Sequence, residues 1–522
     1  MRKAAVVLLF AVCARAQQHP RDKEIHDADT LAWWHTTEAL SGDDMEGRDT
    51  GSAAYQRAAD YVAGRFRGAG LQPAGDGGSF FQPVAMYEIA VASDGTSFAV
   101  VRSGGAELPL EFLQQITIAP AANMPVEADA PLTFRGYCGK DAMHEVAGKI
   151  VVCFSSQRDG MPTGAERTAS ARAGDAVGVV AVDDPYFTIE PPRWPAAYAR
   201  SVALSHPGSA GPASKPLLLM RLRADALAGL IAGAGQDAAA ILASGGRKEA
   251  LPSFEIPAKM RLRVHVTQRT YSSPNVLAML PGSDAQLKDQ YVVIAAHLDG
   301  YGYGTPVAGD NLYNGTLDDA AYVALLIQFA EDLKQAHKTL KRSVLFCAFT
   351  GEEKGLLGST YFVSHPTVEA AKLVADINLD QLRPLFPLNL LTALAIDDTT
   401  LGDTARAVGG SMGIALRADR EPERGLLRRA DHYPFLRIGV PAIGFIFGYD
   451  PGTDAERRYR EWYNVRYHRP QDDLTQPVDF DAAAKFDQFF YKLTEAVADA
   501  PERPAFKARS SFAPRASAGK NE

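Results

Sequence analysis

From Val276 onward, short apolar runs alternate with helix-like stretches, and this alternation constrains the fold more than any other feature of the chain. The runs at 276–280, 291–296, 343–349, 373–379 and 442–447 are each five to seven residues long. That is too short for a core helix and right for buried strands. Helices are expected over 319–335, after Gly355 and over 480–498. Strands alternating with helices predict an α/β domain: a mixed, largely parallel sheet flanked by helices.

The preceding sequence reads differently. Amphipathic helices are expected over 30–41 and 53–69, the second stopped by Gly68, Gly70 and Pro73. Between 126 and 262, short β-rich runs dominate (131–137, 149–154, 177–182, 217–222), with one helix over 166–173 and Pro-rich loops between 185 and 216. The expected organisation is a signal peptide at 1–16, the first part of the α/β domain at 17–125, a β-rich insert at 126–262, the main α/β domain at 263–500 and a disordered tail at 501–522. The tail is rich in Ala, Ser, Pro and charge.

Arg2 and Lys3, an apolar run from Ala4 to Val12, and the small-x-small site Ala14-Arg15-Ala16 form a secretory signal, with cleavage near Ala16. The run is too short to span a bilayer, and no later stretch qualifies. A secreted or periplasmic protein without a membrane anchor is expected. The formal net charge of -8 argues against nucleic acid or anionic membrane as a partner. Cys138 and Cys153 are available to pair in an oxidising compartment, and Cys347, inside an apolar run, reads as a buried small hydrophobe.

In open α/β sheets, ligands bind outside the carboxyl ends of the strands, and several predicted strands end in metal-binding residue types. In A-A-H-L-D at 295–299, His297 and Asp299 project to the same side of a strand, a ligand with its orienting carboxylate. In N-G-T-L-D-D at 314–319, Asp318 or Asp319 either caps the next helix or binds metal. In F-T-G-E-E-K-G at 349–355, one of Glu352 and Glu353 can hold a metal while the other faces its water as a general base. Asp380 ends I-N-L-D, and His468 lies in Y-H-R-P-Q-D-D at 467–473. Two histidines and several carboxylates form the inventory of a two-metal hydrolase, and N and O ligands suit zinc.

In this order and with similar spacing, these motifs resemble the co-catalytic two-zinc exopeptidases, the family of bacterial leucyl aminopeptidases and glutamate carboxypeptidase. M-E-G-R-D-T-G-S at 45–52 and D-H-Y-P-F at 431–435 extend the resemblance. It implies two zinc ions, peptide substrates and terminal peptide-bond hydrolysis, with an aminopeptidase favoured over a carboxypeptidase or dipeptidase. It further implies that His297 and Asp380 hold one zinc, Glu353 and His468 the other, and that Asp318 bridges them. Glu352 matches the general base, Asp299 the partner of the first histidine, and Tyr467 a donor to the developing oxyanion. Asp431 and His432 match a pair near the site. G-K-I-V-V-C and A-R-A-G-D-A-V-G-V-V within 126–262 resemble the protease-associated domain inserted in some relatives. The chain departs from the family at Gly300, Ala321 and Tyr322, which bears on pocket shape.

Rival readings carry their own signatures. Gly409-Gly410-Ser411-Met412-Gly413 fits G-x-S-x-G, which requires a strand before and a helix after. Here the expected order is reversed, against a serine hydrolase. A receptor-like relative without catalysis would lack metal ligands, and a glutaminyl cyclase would use one zinc. A carboxypeptidase needs a cation for the substrate carboxylate, and Arg383, Arg424, Arg428 and Arg429 lie near the motifs.

Overall fold

A computed structural model of the chain describes residues 19–205 and 215–513. The expected signal peptide lies outside them. Among the described residues, no helix is long and apolar enough to cross a membrane.

The four central strands lie in the order Ser343–Phe349, Tyr291–His297, Leu373–Asn378 and Ala442–Phe447, each parallel to its neighbour. They are almost wholly buried, since both faces are covered. Val292, Ile294 and Ala296 feed the main core, together with the helices Ala28–Ser41, Ala53–Gly68, Ala321–Gln335 and Phe480–Asp499. Val293 and Ala295 face the opposite core with Phe362 and Phe435. Cys347 lies in that second core as a free thiol, pushed up by burial. Leu390–Leu394 lies beyond them, antiparallel to Ala442–Phe447, which makes the sheet mixed, and Ala415–Arg417 forms the edge.

The expected strand at 276–280 is the end of a much longer one, Ser253–Leu280. Its last five residues pair antiparallel with Ser343–Phe349. Its earlier part pairs with Glu127–Arg135 and with Phe81–Arg102. One strand therefore runs through both halves of a continuous 16-stranded sheet. On the far side Glu127–Arg135, Ile150–Ser155, Gly178–Asp183 and Leu218–Leu222 run parallel and build their own core around Phe134, Val152, Val180 and Leu218. That core also takes Val91, Phe98 and Val100, so it starts earlier in the chain than position 126. Beside it, Cys138 and Cys153 form a disulfide, with Cα atoms 5.6 Å apart.

The tail departs from expectation over 502–513. Phe506 bridges to Thr399, the Lys507 amide donates to the Asp398 carbonyl at 2.8 Å, and Ser510 Oγ donates to Asp398 Oδ1 at 2.7 Å. Phe512 packs edge-on against Tyr433. Two aromatics and a few backbone partners order this segment, although its average composition is polar.

Candidate active site

Tyr291–His297 is followed in the chain by Ser343–Phe349 on one side of it and by Leu373–Asn378 on the other. The connection thus reverses direction beside Tyr291–His297, and such a reversal opens a crevice at the carboxyl ends of the strands. His297 is the last residue of its strand. Glu352 and Glu353 follow Phe349, and Asp380 follows Asn378. Asp318 comes from an irregular turn, Thr316–Ala320, ahead of the helix Ala321–Gln335. Gly315 opens that turn with φ 62°, and a Cβ there would sit 2.5 Å from the Asp318 carbonyl oxygen. The last contributor, His468, sits at φ 53° in the loop before Asp472.

These residues converge. His297, Asp318 and Asp380 offer ligand atoms within 4.8 Å of one another, and so do Asp318, Glu353 and His468. The two groups share Asp318, whose Oδ1 lies 3.6 Å from His297 Nε2 and whose Oδ2 lies 3.3 Å from His468 Nε2. Glu353 Oε2 is 3.3 Å from His468 Nε2. Glu352 Oε2 is 3.9 Å from His297 Nε2. Asp319 belongs to neither group; its Oδ2 accepts from the His297 backbone amide at 3.1 Å. His432 is buried outside both groups, and burial lowers it to about 4.

The electrostatics match a cation site. Buried without hydrogen-bond partners are His297 Nε2, Asp318 Oδ2 and Asp380 Oδ2. Such atoms cost free energy unless something binds them, and this N/O donor set fits zinc. Burial raises Asp318, but Arg383, with Nη2 3.1 Å from Oδ1, and the two histidines outweigh it and hold the carboxyl well below its usual value. Burial, reinforced by Asp380 and Glu353, raises Glu352 well above the carboxylate range despite His297. Burial also lowers His468 to about 4, so its ring is neutral near pH 7 with a lone pair to give.

A surrounding layer fixes these residues. Arg48, fully buried, donates to the carbonyls of Leu40, Leu298, Asn314 and Gly315 at 2.7–2.9 Å. It thereby joins the His297 loop to the Asp318 turn and gives M-E-G-R-D-T-G-S its structural reason. Asp472 accepts from the Leu317 amide through Oδ1 and from the Thr316 amide through its carbonyl, both at 3.0 Å. Gly300 is needed where it stands, since a Cβ would meet the Gly47 carbonyl at 2.7 Å. Ala321 and Tyr322 face the main core, so these departures leave the crevice untouched.

Two expected partners differ in detail. His297 Nδ1 lies 3.0 Å from the Asp299 backbone carbonyl and 3.8 Å from its carboxylate. The Asp299 carboxylate instead accepts from Thr50 Oγ1 at 2.9 Å and from the Glu352 amide at 3.0 Å. Its side chain therefore anchors the Glu352 turn, because a strand end brings the carbonyl closer to the ring than the carboxylate. Tyr467 stacks on His468 at 3.8 Å, and its hydroxyl accepts from Arg429 Nη2 at 3.1 Å. Sequence reasoning missed Tyr301, whose hydroxyl lies 2.8 Å from His468 Nδ1. Its position four residues after His297 carried no local sign of that long-range contact.

Other sequence candidates resolve simply. Arg383 is fully buried against Asp318 and Trp462, out of reach of a substrate. Arg428 is exposed. Ser411 ends the helix Thr400–Ser411 and precedes the strand Ala415–Arg417, the reverse of a nucleophile elbow. Asp431 accepts instead from Ser359 Oγ.

His468 and Tyr301 also line a cavity of about 600 Å³. Its other wall comes from the β-rich half, through Asp183, Glu190, Arg193, Tyr198 and Arg221. The crevice is thus bounded by both halves of the sheet.

This fold is that of solved aminopeptidases: the chain is similar to an aminopeptidase from Aneurinibacillus sp. strain AM-1, with a TM-score of 0.60, 16% identity and coverage of 91% of this chain and 95% of that one. Residues 275–494 match the sequence model of peptidase family M28. Aminopeptidase YwaD of Bacillus subtilis (strain 168) is 26% identical over 220 residues, covering 42% of each chain. A glutamate carboxypeptidase 2 homolog of Caenorhabditis elegans is 26% identical over 251 residues, 42% of this chain and 29% of that one. The match spans less than half the length of either relative.

Proposed function

We propose that this chain is a co-catalytic two-zinc exopeptidase that removes the amino-terminal residue of peptides. The observation that carries this is the pair of ligand groups sharing Asp318, with Glu352 beside them. In this reading His297 and Asp380 would hold one zinc, Glu353 and His468 the other, and Asp318 would serve both. Bound there, the two ions would supply Lewis acidity and make a water acidic enough to attack at neutral pH.

The protein's own residues do the rest. Glu352 takes the proton of the attacking water and returns it to the leaving amine. Asp299 fixes the Glu352 backbone, and Tyr301 fixes the ring of His468. Arg429 donates to the Tyr467 oxygen, which leaves the phenol proton free to be donated to the oxyanion. The β-rich half, read as a protease-associated-like insert at 126–262, frames access to the crevice. Export rests on the signal at 1–16.

The aminopeptidase among its relatives supports reading the amino end. A carboxypeptidase is the second reading, favoured by the arginines that line the cavity. The test compares leucyl-anilide with an amino-blocked dipeptide, with and without chelator. The proposal expects chelator-sensitive release from the anilide and none from the blocked dipeptide. Cleavage of the blocked dipeptide alone gives the carboxypeptidase, and activity that survives metal removal sinks both.

A further inference from the structure

A second convergence of metal-binding side chains lies on the helix Ala28–Ser41 and the turn before it, with no member in the crevice. His19, Asp22 and His35 offer ligand atoms within 4.8 Å of one another, and Glu38 stands beside them. Among the described residues, every other group of histidines and carboxylates that converges this closely belongs to the crevice. His35 Nε2 lies 2.9 Å from Asp22 Oδ1, and His19 Nδ1 pairs with Glu38 Oε2. The two imidazoles stack, with centroids 3.9 Å apart and planes at 26°. Two charged rings at that separation repel, while two neutral rings keep nitrogen lone pairs for a shared cation.

These positions are held from both sides. His35 and Glu38 are three residues apart on their helix and so share one face. Buried Trp33 and Trp34 fix that helix, and Trp33 Nε1 donates to the Ala321 carbonyl at 2.6 Å. On the other side, His19 and Asp22 flank Arg21. Its Nη1 donates to the Gln476 carbonyl at 2.6 Å, and its guanidinium lies 4.5 Å from the Phe480 ring centroid. Turn and helix thus supply one histidine and one carboxylate each. The Glu38 side chain keeps only 9% exposure, too little for a solvated surface pair. Among the described residues, the ion-pair partners of Asp22 and Glu38 are these histidines alone. Beside neutral imidazoles, the two carboxylates leave a negative charge that a divalent cation balances.

We propose that His19, Asp22, His35 and Glu38 bind a structural divalent ion of the zinc–copper class, which clasps the turn at Asp22–Glu24 onto the helix Ala28–Ser41. Two imidazoles and two carboxylates make a closed set of four N and O donors, as a structural site requires. Imidazole ligands select zinc or copper over magnesium and calcium. The site shares no residue with the crevice, so it stands whether or not the peptidase reading does.

The test reloads chelator-stripped protein with zinc, desalts it and measures metal per chain. Wild type should keep one equivalent more than His35→Ala and one more than His19→Ala, whatever number the crevice holds. Asp22→Asn, which has the same shape and spares the stacked rings, should weaken that equivalent about tenfold or more, at least the cost of losing an outer partner. Zinc should also raise its thermal midpoint less than that of wild type. After copper(II) loading, the electron paramagnetic resonance difference between wild type and His35→Ala should show coupling to two imidazole nitrogens. Uptake of copper but not zinc upholds the site and assigns it to copper. Equal metal content in wild type and both histidine variants overturns the site, and so does a loss with His19→Ala alone. Should the histidine variants misfold, Asp22→Asn decides: wild-type zinc affinity with the full rise in midpoint overturns the site.

Discussion

Asp318 turns one carboxylate oxygen toward each histidine, and Arg383 keeps that carboxylate ionised. On the two-zinc proposal, Asp318→Ala should therefore release both metals together, read as zinc content falling from two per chain towards none. Loss of one ion only would show that the groups are independent. Glu352 lies outside the two groups that share Asp318, so Glu352→Gln should keep the zinc while turnover drops at least about 10²-fold, the scale of general-base catalysis. Wild-type turnover would remove Glu352 from its role. At this scale much was legible. His297, Glu353 and Asp380 stand at or just past the ends of apolar strands, where a polar ligand type has few other reasons to be. Tyr301, Arg193 and Glu190 were not legible, because the contacts that bring them to the site span more than a hundred residues and leave no periodicity nearby.

Among the elements, the Asp318 turn is the least regular and the most braced. Arg48 supplies its guanidinium to four buried carbonyls, and burial lowers it only to about 10, so it stays charged. Arg48→Met should lower the thermal unfolding midpoint, through a loss of about 3 kcal/mol or more as those carbonyls lose partners. It should also weaken zinc retention, since it loosens both ligand loops. An unchanged midpoint would mean water replaces the guanidinium without cost. The central strands were readable because burial on both faces makes a continuous apolar run. Ser253–Leu280 was read only at its end. Over 260–265 it alternates buried and exposed residues, and over 273–278 it is buried throughout. The change of surroundings makes one strand look like two.

For the whole molecule, Glu190 joins the two halves of the sheet. Burial raises its carboxyl, but Arg193, Arg429 and Arg424 outweigh this and bring it to about 2, against 4.5 ordinarily. The ionised form is thus the one the fold favours. Its contribution, about 3 kcal/mol, is complete above pH 4.5 and fades as the pH falls towards 2. Glu190→Gln should lower stability at pH 7 and flatten the acid limb of the stability curve between pH 4.5 and 2. A parallel acid limb in the variant would place the titrating group elsewhere. The continuous strand Ser253–Leu280 bears on the same crevice. Its residues are pinned in register at one end to Glu127–Arg135 and at the other to Ser343–Phe349. The width of the opening is therefore set as the chain folds, like the jaw of a gauge rather than a hinge. On the exopeptidase proposal, such a gauge would pass a loose chain end and turn away a folded surface, so selection by shape would come before any chemistry at the site.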